Sequence, residues 1–260
     1  MALSSSARAT NRLDNMWRLA QTFALLICFG ATAAHAQQKV ELELVLALDS
    51  STSVNEDEYA LQRKGLSEAM RHPSVLKAIR GLGSEGLAIS VVQWSGARKQ
   101  IDAIPLRHIN SESVSLRLSN DLEIMQRALS GFTDIAGAIN HSVASIENNA
   151  FAGRRYAIDV SGDGTSDSNN PRDARDAAVA KGFTINGLII HSEEYDLGDL
   201  ARHALQTHYE NDVIGGPGAF LLHAEDFKTF GESMRQKLVK EITGPLFANL
   251  PTTKSGVHPL

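Results

Sequence analysis

Residues able to hold a small, hard cation appear early in the chain. The run Leu44-Val-Leu-Ala-Leu-Asp49-Ser-Ser51-Thr-Ser53 places a carboxylate where an apolar segment ends, then two hydroxyls at steps of two. A divalent cation such as Mg²⁺ takes oxygen ligands in an octahedron at ~2.0 to 2.1 Å, which carboxylates and hydroxyls can supply. Extended, Asp49 and Ser53 would stand ~13 Å apart, so sharing one ion requires the loop to curl over the strand end. Serine suits such a turn because it is small and hydrogen-bonds locally. Taken alone, the segment reads equally as a polar turn, with Ser53 and Glu56 forming a capping box.

Two further segments add donors. Gly131-Phe132-Thr133-Asp134 precedes an amphipathic stretch, and Asp163-Gly164 follows an apolar one. Each has a plainer reading, Thr133 as the N-cap of a helix starting at Asp134 and Asp163-Gly164 as a strand-ending turn. Their placement decides their interest. Val40 to Leu48, Leu87 to Trp94, Arg155 to Val160, Phe183 to Ile190 and Ala219 to His223 read as strands. Lys99 to Ile104 alternates with polar residues after the Ser95-Gly96 turn and reads as an antiparallel edge partner of the second strand.

Helical patterns separate these strands. Asn55 and Glu58 form a capping box ahead of Tyr59, Leu66 and Met70, and His72-Pro73 stops that helix. Val114 to Leu129 and Ile135 to Ile146 step by three and four. Asn170-Pro171 opens a helix that Lys181-Gly182 closes. A helix around Leu197 to Leu205 and one from Phe227 to Ile242 complete the set. The alternation predicts one α/β domain with a mostly parallel six-stranded sheet, one antiparallel edge and helices on both faces. In such sheets ligands bind beyond the carboxyl ends of the strands. All three donor segments fall on that edge.

Asp-x-Ser-x-Ser at 49 to 53, Gly-x-Thr at 131 to 133 and Asp-Gly at 163 to 164 resemble the metal-ion-dependent adhesion site of von Willebrand factor type A (vWA) domains. The order of strands and helices resembles that three-layer, Rossmann-like fold over residues 38 to 243. The wording Ile158-Asp-Val-Ser-Gly-Asp-Gly164 is similar to that of an uncharacterised family of bacterial exported proteins with this fold. The resemblance implies that Ser51 and Ser53 bind a cation directly, and that Asp49, Thr133 and Asp163 bind it directly or through water. It implies Mg²⁺, with Mn²⁺ and Ca²⁺ as alternatives, and a partner protein presenting an acidic side chain to a vacant coordination position. Gly162 departs from the pattern, which usually has a hydroxyl residue before Asp-Gly, so the backbone ahead of Asp163 differs from the usual one. Asp159, deeper in the same strand, needs a buried partner that the sequence does not name.

The amino terminus reads as an export signal. Arg8, Arg12 and Arg18 lead into an apolar run from Leu19 to Ala34, and Ala34-His35-Ala36 gives a cleavage pattern before Gln37. The run is broken by Gln21, Thr22 and Gly30 and falls short of the ~20 residues of a membrane span. Met16 offers an alternative start. Cleavage after Ala36 would leave 224 residues in the periplasm or outside the cell, with residues 244 to 260 as a loose tail. The single cysteine, Cys28, lies in the leader, which removes disulfides and thiolate chemistry from the mature chain. Whole-chain charge is −5, and without Arg8, Arg12, Arg18 and Asp14 it is −7, with no basic stripe to attract nucleic acid or anionic membrane.

Hydrolysis would need a general base besides the cation. His191, at the end of the fifth strand with Glu193 and Glu194 behind it, is the best candidate, although histidines at strand ends are ordinarily solvated or capping residues. His203 and His208 are five apart and do not share a helical face, and His223 reads as a packing residue in an apolar strand. The P-loop pattern Gly-x-x-x-x-Gly-Lys-Ser/Thr and the Gly-x-Ser-x-Gly nucleophile motif are absent from the sequence. The favoured expectation is a binding domain with no catalytic residues. The alternatives are a metal-assisted hydrolase and a scaffold whose cation site is unused.

Overall fold

The apolar run ending at Asp49 becomes the central strand of a six-stranded sheet, in a computed structural model that describes residues 37–167, 169–191 and 198–244. In chain order the elements are β1 (Gln38–Asp49), α1 (Glu56–Arg71), α2 (Pro73–Gly81), β2 (Leu87–Trp94), β3 (Gln100–Ile109), α3 (Glu112–Glu123) and α4 (Ile135–Glu147). They continue with β4 (Phe151–Gly162), α5 (Pro171–Ala180), β5 (Phe183–Ile190), α6 (Asp199–His208), a π-helical turn (Tyr209–Val213), β6 (Leu221–Ala224) and α7 (Phe230–Thr243). The strand order is β3-β2-β1-β4-β5-β6, all neighbours parallel except β2 and β3. Every described residue belongs to one compact unit that starts at Gln37. The export signal, Glu193, Glu194 and the tail beyond Gly244 lie outside the described residues.

β1 is buried on both faces, and its two-residue period divides it between two cores. Leu42, Leu44, Leu46 and Leu48 face a layer made by α1, α2, α3 and α7, while Val45 and Ala47 face α4, α5 and the π-helical turn. Each fully buried leucine contributes about 1.5–3 kcal/mol. A one-residue slip would exchange the two sets of side chains, so register is fixed. That register aligns the sheet's carboxyl edge. Asp49 pairs with Trp94, Leu48 with Ser161, and Gly162 with Ile189.

The expected elements are present, with instructive differences. Asn55 and Glu58 do form a capping box. Pro73 ends α1 as expected but also starts α2, where its missing N–H is harmless at the first helical position. α3 stops at Glu123, short of Leu129, because the Gln93 side chain takes over the backbone that would have continued it. Gln93 donates to the Gln126 carbonyl at 2.7 Å and accepts from the Ala128 N–H at 2.8 Å. His223 is exposed on edge strand β6 instead of packed, and its ring stacks on that of His191 at 5.5 Å.

Asp159 has a partner that lies far away in sequence. Lys237 on α7, fully buried, places its Nζ 3.0 Å from Asp159 Oδ1 and 2.8 Å from Glu241 Oε1. Asn186 on β5 donates to Glu241 at 2.9 Å, so the network ties α7 to β4 and β5. Removing one member strands the others in low dielectric. Lys237→Met is expected to lower the unfolding free energy in urea by about 3–5 kcal/mol. A loss below about 1 kcal/mol would mean that the network is not buried as described.

Candidate metal centre

β1 delivers Asp49 to the edge fully buried, and the following loop folds back over it. The Ser51 N–H donates to Asp49 Oδ1 at 2.7 Å, closing a turn through the carboxylate itself. Ser51 Oγ and Ser53 Oγ are 2.9 Å apart, and Ser53 Oγ donates to Asp163 Oδ1 at 2.8 Å. Ser51, Ser53 and Asp163 therefore form one connected set of oxygens, which the Ser51 N–H joins to Asp49. Ser53 is not a helix cap, since Asn55 holds that position.

The loop owes its shape to a residue that sequence reading did not single out. Arg127, almost enclosed, donates to the Ser50 carbonyl at 3.1 Å and the Ser51 carbonyl at 2.9 Å, and pairs with Glu56 at 2.9 Å. Its guanidinium lies 5.8 Å from the Tyr59 ring centroid. One guanidinium nitrogen, Nη2, holds both successive carbonyls, while Nη1 reaches Glu56 and Nε the Leu129 carbonyl, so the planar group ties three segments at once. Gln62 adds a bond to the Asp49 carbonyl at 3.3 Å.

The second and third loops are fastened to the first and to each other. Thr52 N donates to the Gly131 carbonyl at 2.8 Å, and Gly131 has a φ of 145°, open to glycine and strained for other residues. Thr133 N donates to Asp167 Oδ2 at 2.7 Å, and Asp167 N returns a bond to the Thr133 carbonyl at 2.8 Å. Asp134, not Thr133, caps α4, accepting from the Gly137 N–H at 3.0 Å. Thr133 is thus placed on the same edge, largely buried, and is not consumed by capping.

Electrostatics at the site are unfavourable for two bare carboxylates. Asp49 Oδ2 and Asp163 Oδ2 are both buried without a hydrogen-bond partner. Burial first, then the charge of Asp163, pushes Asp49 up to about 8. Burial also pushes Asp163 up to about 6, against the opposing bond from Ser53. Tyr209, whose hydroxyl is buried and unpartnered, is held well above the ordinary phenol value by burial and by Asp49, Asp163 and Asp159 in that order. Oxygen atoms without partners, flanked by hydroxyls, fit a hard divalent cation. Among the described residues no cluster of three or more His, Cys, Asp or Glu side chains is arranged for a metal.

Gly162 sits directly beneath the site. A Cβ there would lie 2.9 Å from the Tyr209 hydroxyl, 3.0 Å from Asp49 Oδ2 and 3.4 Å from the Trp94 ring. The departure from the usual hydroxyl residue therefore has a steric reason. His191 stands past the end of β5, two strands from Asp49, its Nε2 3.3 Å from His223 Nδ1. His208 pairs with Asp212 at 3.1 Å.

Known structures share this arrangement of strands and helices. Proximal thread matrix protein 1 from the mussel byssus, with a zinc-occupied MIDAS motif, is 16% identical with a TM-score of 0.52, covering 80% of this chain and 49% of that one. The pilus adhesin SpaC from Lactobacillus rhamnosus GG, in an open conformation, is 13% identical with a TM-score of 0.56, over 78% of this chain and 30% of that one. A von Willebrand factor type A structure from Catenulispora acidiphila is 15% identical with a TM-score of 0.48, over 78% of this chain and 43% of that one. This chain thus spans half or less of each protein, and at these identities the likeness is one of fold. No curated protein matches in sequence. The family described as "Protein of unknown function (DUF1194)" matches residues 39–246. With that match the chain is a member of the DUF1194 family, and the likeness to the mussel protein and to SpaC gives it a vWA-like fold.

Proposed function

We propose that this chain is an exported binding domain that engages an acidic group on a partner protein through a divalent cation. Asp49, Ser51, Ser53, Thr133 and Asp163 would hold the ion, with Mg²⁺ the favoured metal and Mn²⁺ or Ca²⁺ as alternatives. The observation that carries this reading is the connected set Asp49–Ser51–Ser53–Asp163, with one unpartnered buried oxygen on each carboxylate. When bound, the cation would supply concentrated positive charge with a coordination position open to a partner's carboxylate.

The chain's own residues do the remaining work. Arg127 holds the Ser50 and Ser51 carbonyls, so the serine hydroxyls keep their spacing. Few carboxylates and several neutral hydroxyls leave the ion poorly neutralised, which favours capture of an external carboxylate. Phe132, beside Thr133, is 77% exposed and offers an apolar contact for a partner next to the charge. Support also comes from the mussel protein, described with zinc in its MIDAS motif, and from SpaC, described as a pilus adhesin. Hydrolysis with His191 as base gains no comparable support, since that ring is stacked on His223.

Cation binding to the folded state alone must raise its stability, by about 2.7 kcal/mol at 100 times the Kd. Thermal melts with Mg²⁺ or Mn²⁺ are expected to rise relative to chelator, and Asp49→Ala to abolish the rise. A melt unmoved by Mg²⁺, Mn²⁺ or Ca²⁺ would sink the cation reading. Pull-down of exported proteins with cation and with chelator, using Asp49→Ala as control, tests the partner, and capture indifferent to both would sink the binding reading.

A pH dependence follows for the chelated chain. Asp49 and Asp163, at about 8 and about 6 against an ordinary 3.8, keep protons that the unfolded chain has released. Above about pH 4 the folded state therefore binds more protons, and stability falls as pH rises toward 8. Chelated melts should be lower at pH 8 than at pH 5.5, Asp49→Asn should flatten that slope, and saturating Mg²⁺ should offset it. A slope left unchanged by Asp49→Asn would contradict the burial described for this carboxylate.

A further inference from the structure

The π-helical turn between α6 and β6 opens with Tyr209, which is fully buried and whose hydroxyl has no hydrogen-bond partner. Two glycines on neighbouring strands clear its path. A Cβ on Gly187 of β5 would meet Tyr209 Cδ1 at 2.9 Å, and a Cβ on Gly162 of β4 would meet the hydroxyl at 2.9 Å. The ring thus lies along the sheet face and points its oxygen toward the carboxyl edge. The same point above Gly162 is 3.0 Å from Asp49 Oδ2, which is also buried and unpartnered. A phenol donor and a carboxylate acceptor therefore flank one small space and are at most about 6 Å apart, a span that a single water can bridge.

The geometry points to Tyr209 as a positioning residue of the cation site, its hydroxyl donating through one water to Asp49 Oδ2. This inference rests on the cation reading proposed above and names the regulator of that site's affinity. Asp49 Oδ1 is already fixed by the Ser51 N–H. A second donor on Oδ2 would lock the carboxylate plane, and outer contacts of this kind set how well a ligand meets its metal. The hydroxyl that position 162 lacks would then arrive from Tyr209, and Gly162 would be required because any side chain there fills the shared space.

Mn²⁺ binding by the full chain, read by the paramagnetic signal of the free ion, tests this. Tyr209→Phe keeps the ring over both glycines, so its melt in chelator should match that of the parent. Its Kd for Mn²⁺ is expected to rise about 10-fold or more. In an Asp49→Asn background the same change should have no further effect, because a residue acting through Asp49 is coupled to it. A Tyr209→Phe chain that binds Mn²⁺ within about twofold of the parent, or that loses equal affinity with and without Asp49, would overturn the assignment. A parent chain that takes up no more Mn²⁺ than Asp49→Ala would instead overturn the cation reading, and this inference with it.

Discussion

Two carboxylates are buried under one edge of the sheet with only a pair of serines between them, and the surrounding architecture answers that constraint. Like charges in a low-dielectric space repel strongly, and each also loses its hydration. Asp49 is brought there by a strand whose register cannot shift without turning its leucines out of the core. Asp163 is brought there by the neighbouring strand, paired one residue at a time from Gln38 to Leu48. Among the described residues no arginine or lysine reaches the free oxygens, which leaves protons or a cation to relieve them.

Positive charge near the site is instead spent on backbone. Arg127 holds carbonyls and Glu56, and contributes only the last and smallest influence on Asp49. A cationic side chain in direct contact would neutralise the pair and leave nothing for an ion to do. Keeping Arg127 one layer out preserves the loop's curl while leaving the inner oxygens available. Lys237 serves the opposite purpose farther down β4, where its contact with Asp159 makes that carboxylate a structural element.

Much of this was legible in the residues. The apolar run of β1, the Asn55–Glu58 box, the Asn170-Pro171 helix start and the placement of three loops on one edge all rest on local spacing and element order. What escaped depends on contacts between distant segments. Gln93 ending α3, Arg127 clamping a loop more than seventy positions earlier, and Lys237 meeting Asp159 have no local signature. Tyr209 was hidden for another reason. Leu205, Tyr209 and Val213 step by four onto one core, which reads as ordinary packing and does not show that the hydroxyl reaches the Asp49 edge. Gly162 was visible as an oddity, but its reason required seeing which atoms fill the space.

The two rims of the sheet set a boundary on how another protein can join it. β6 has only four residues, and β3 carries Pro105 and meets β2 through two register irregularities. A short strand and an edge interrupted by proline and bulges are poor templates for an incoming strand. Recognition by backbone augmentation is therefore disfavoured at both margins, which leaves side chains, and not sheet edges, as the means of contact with another chain.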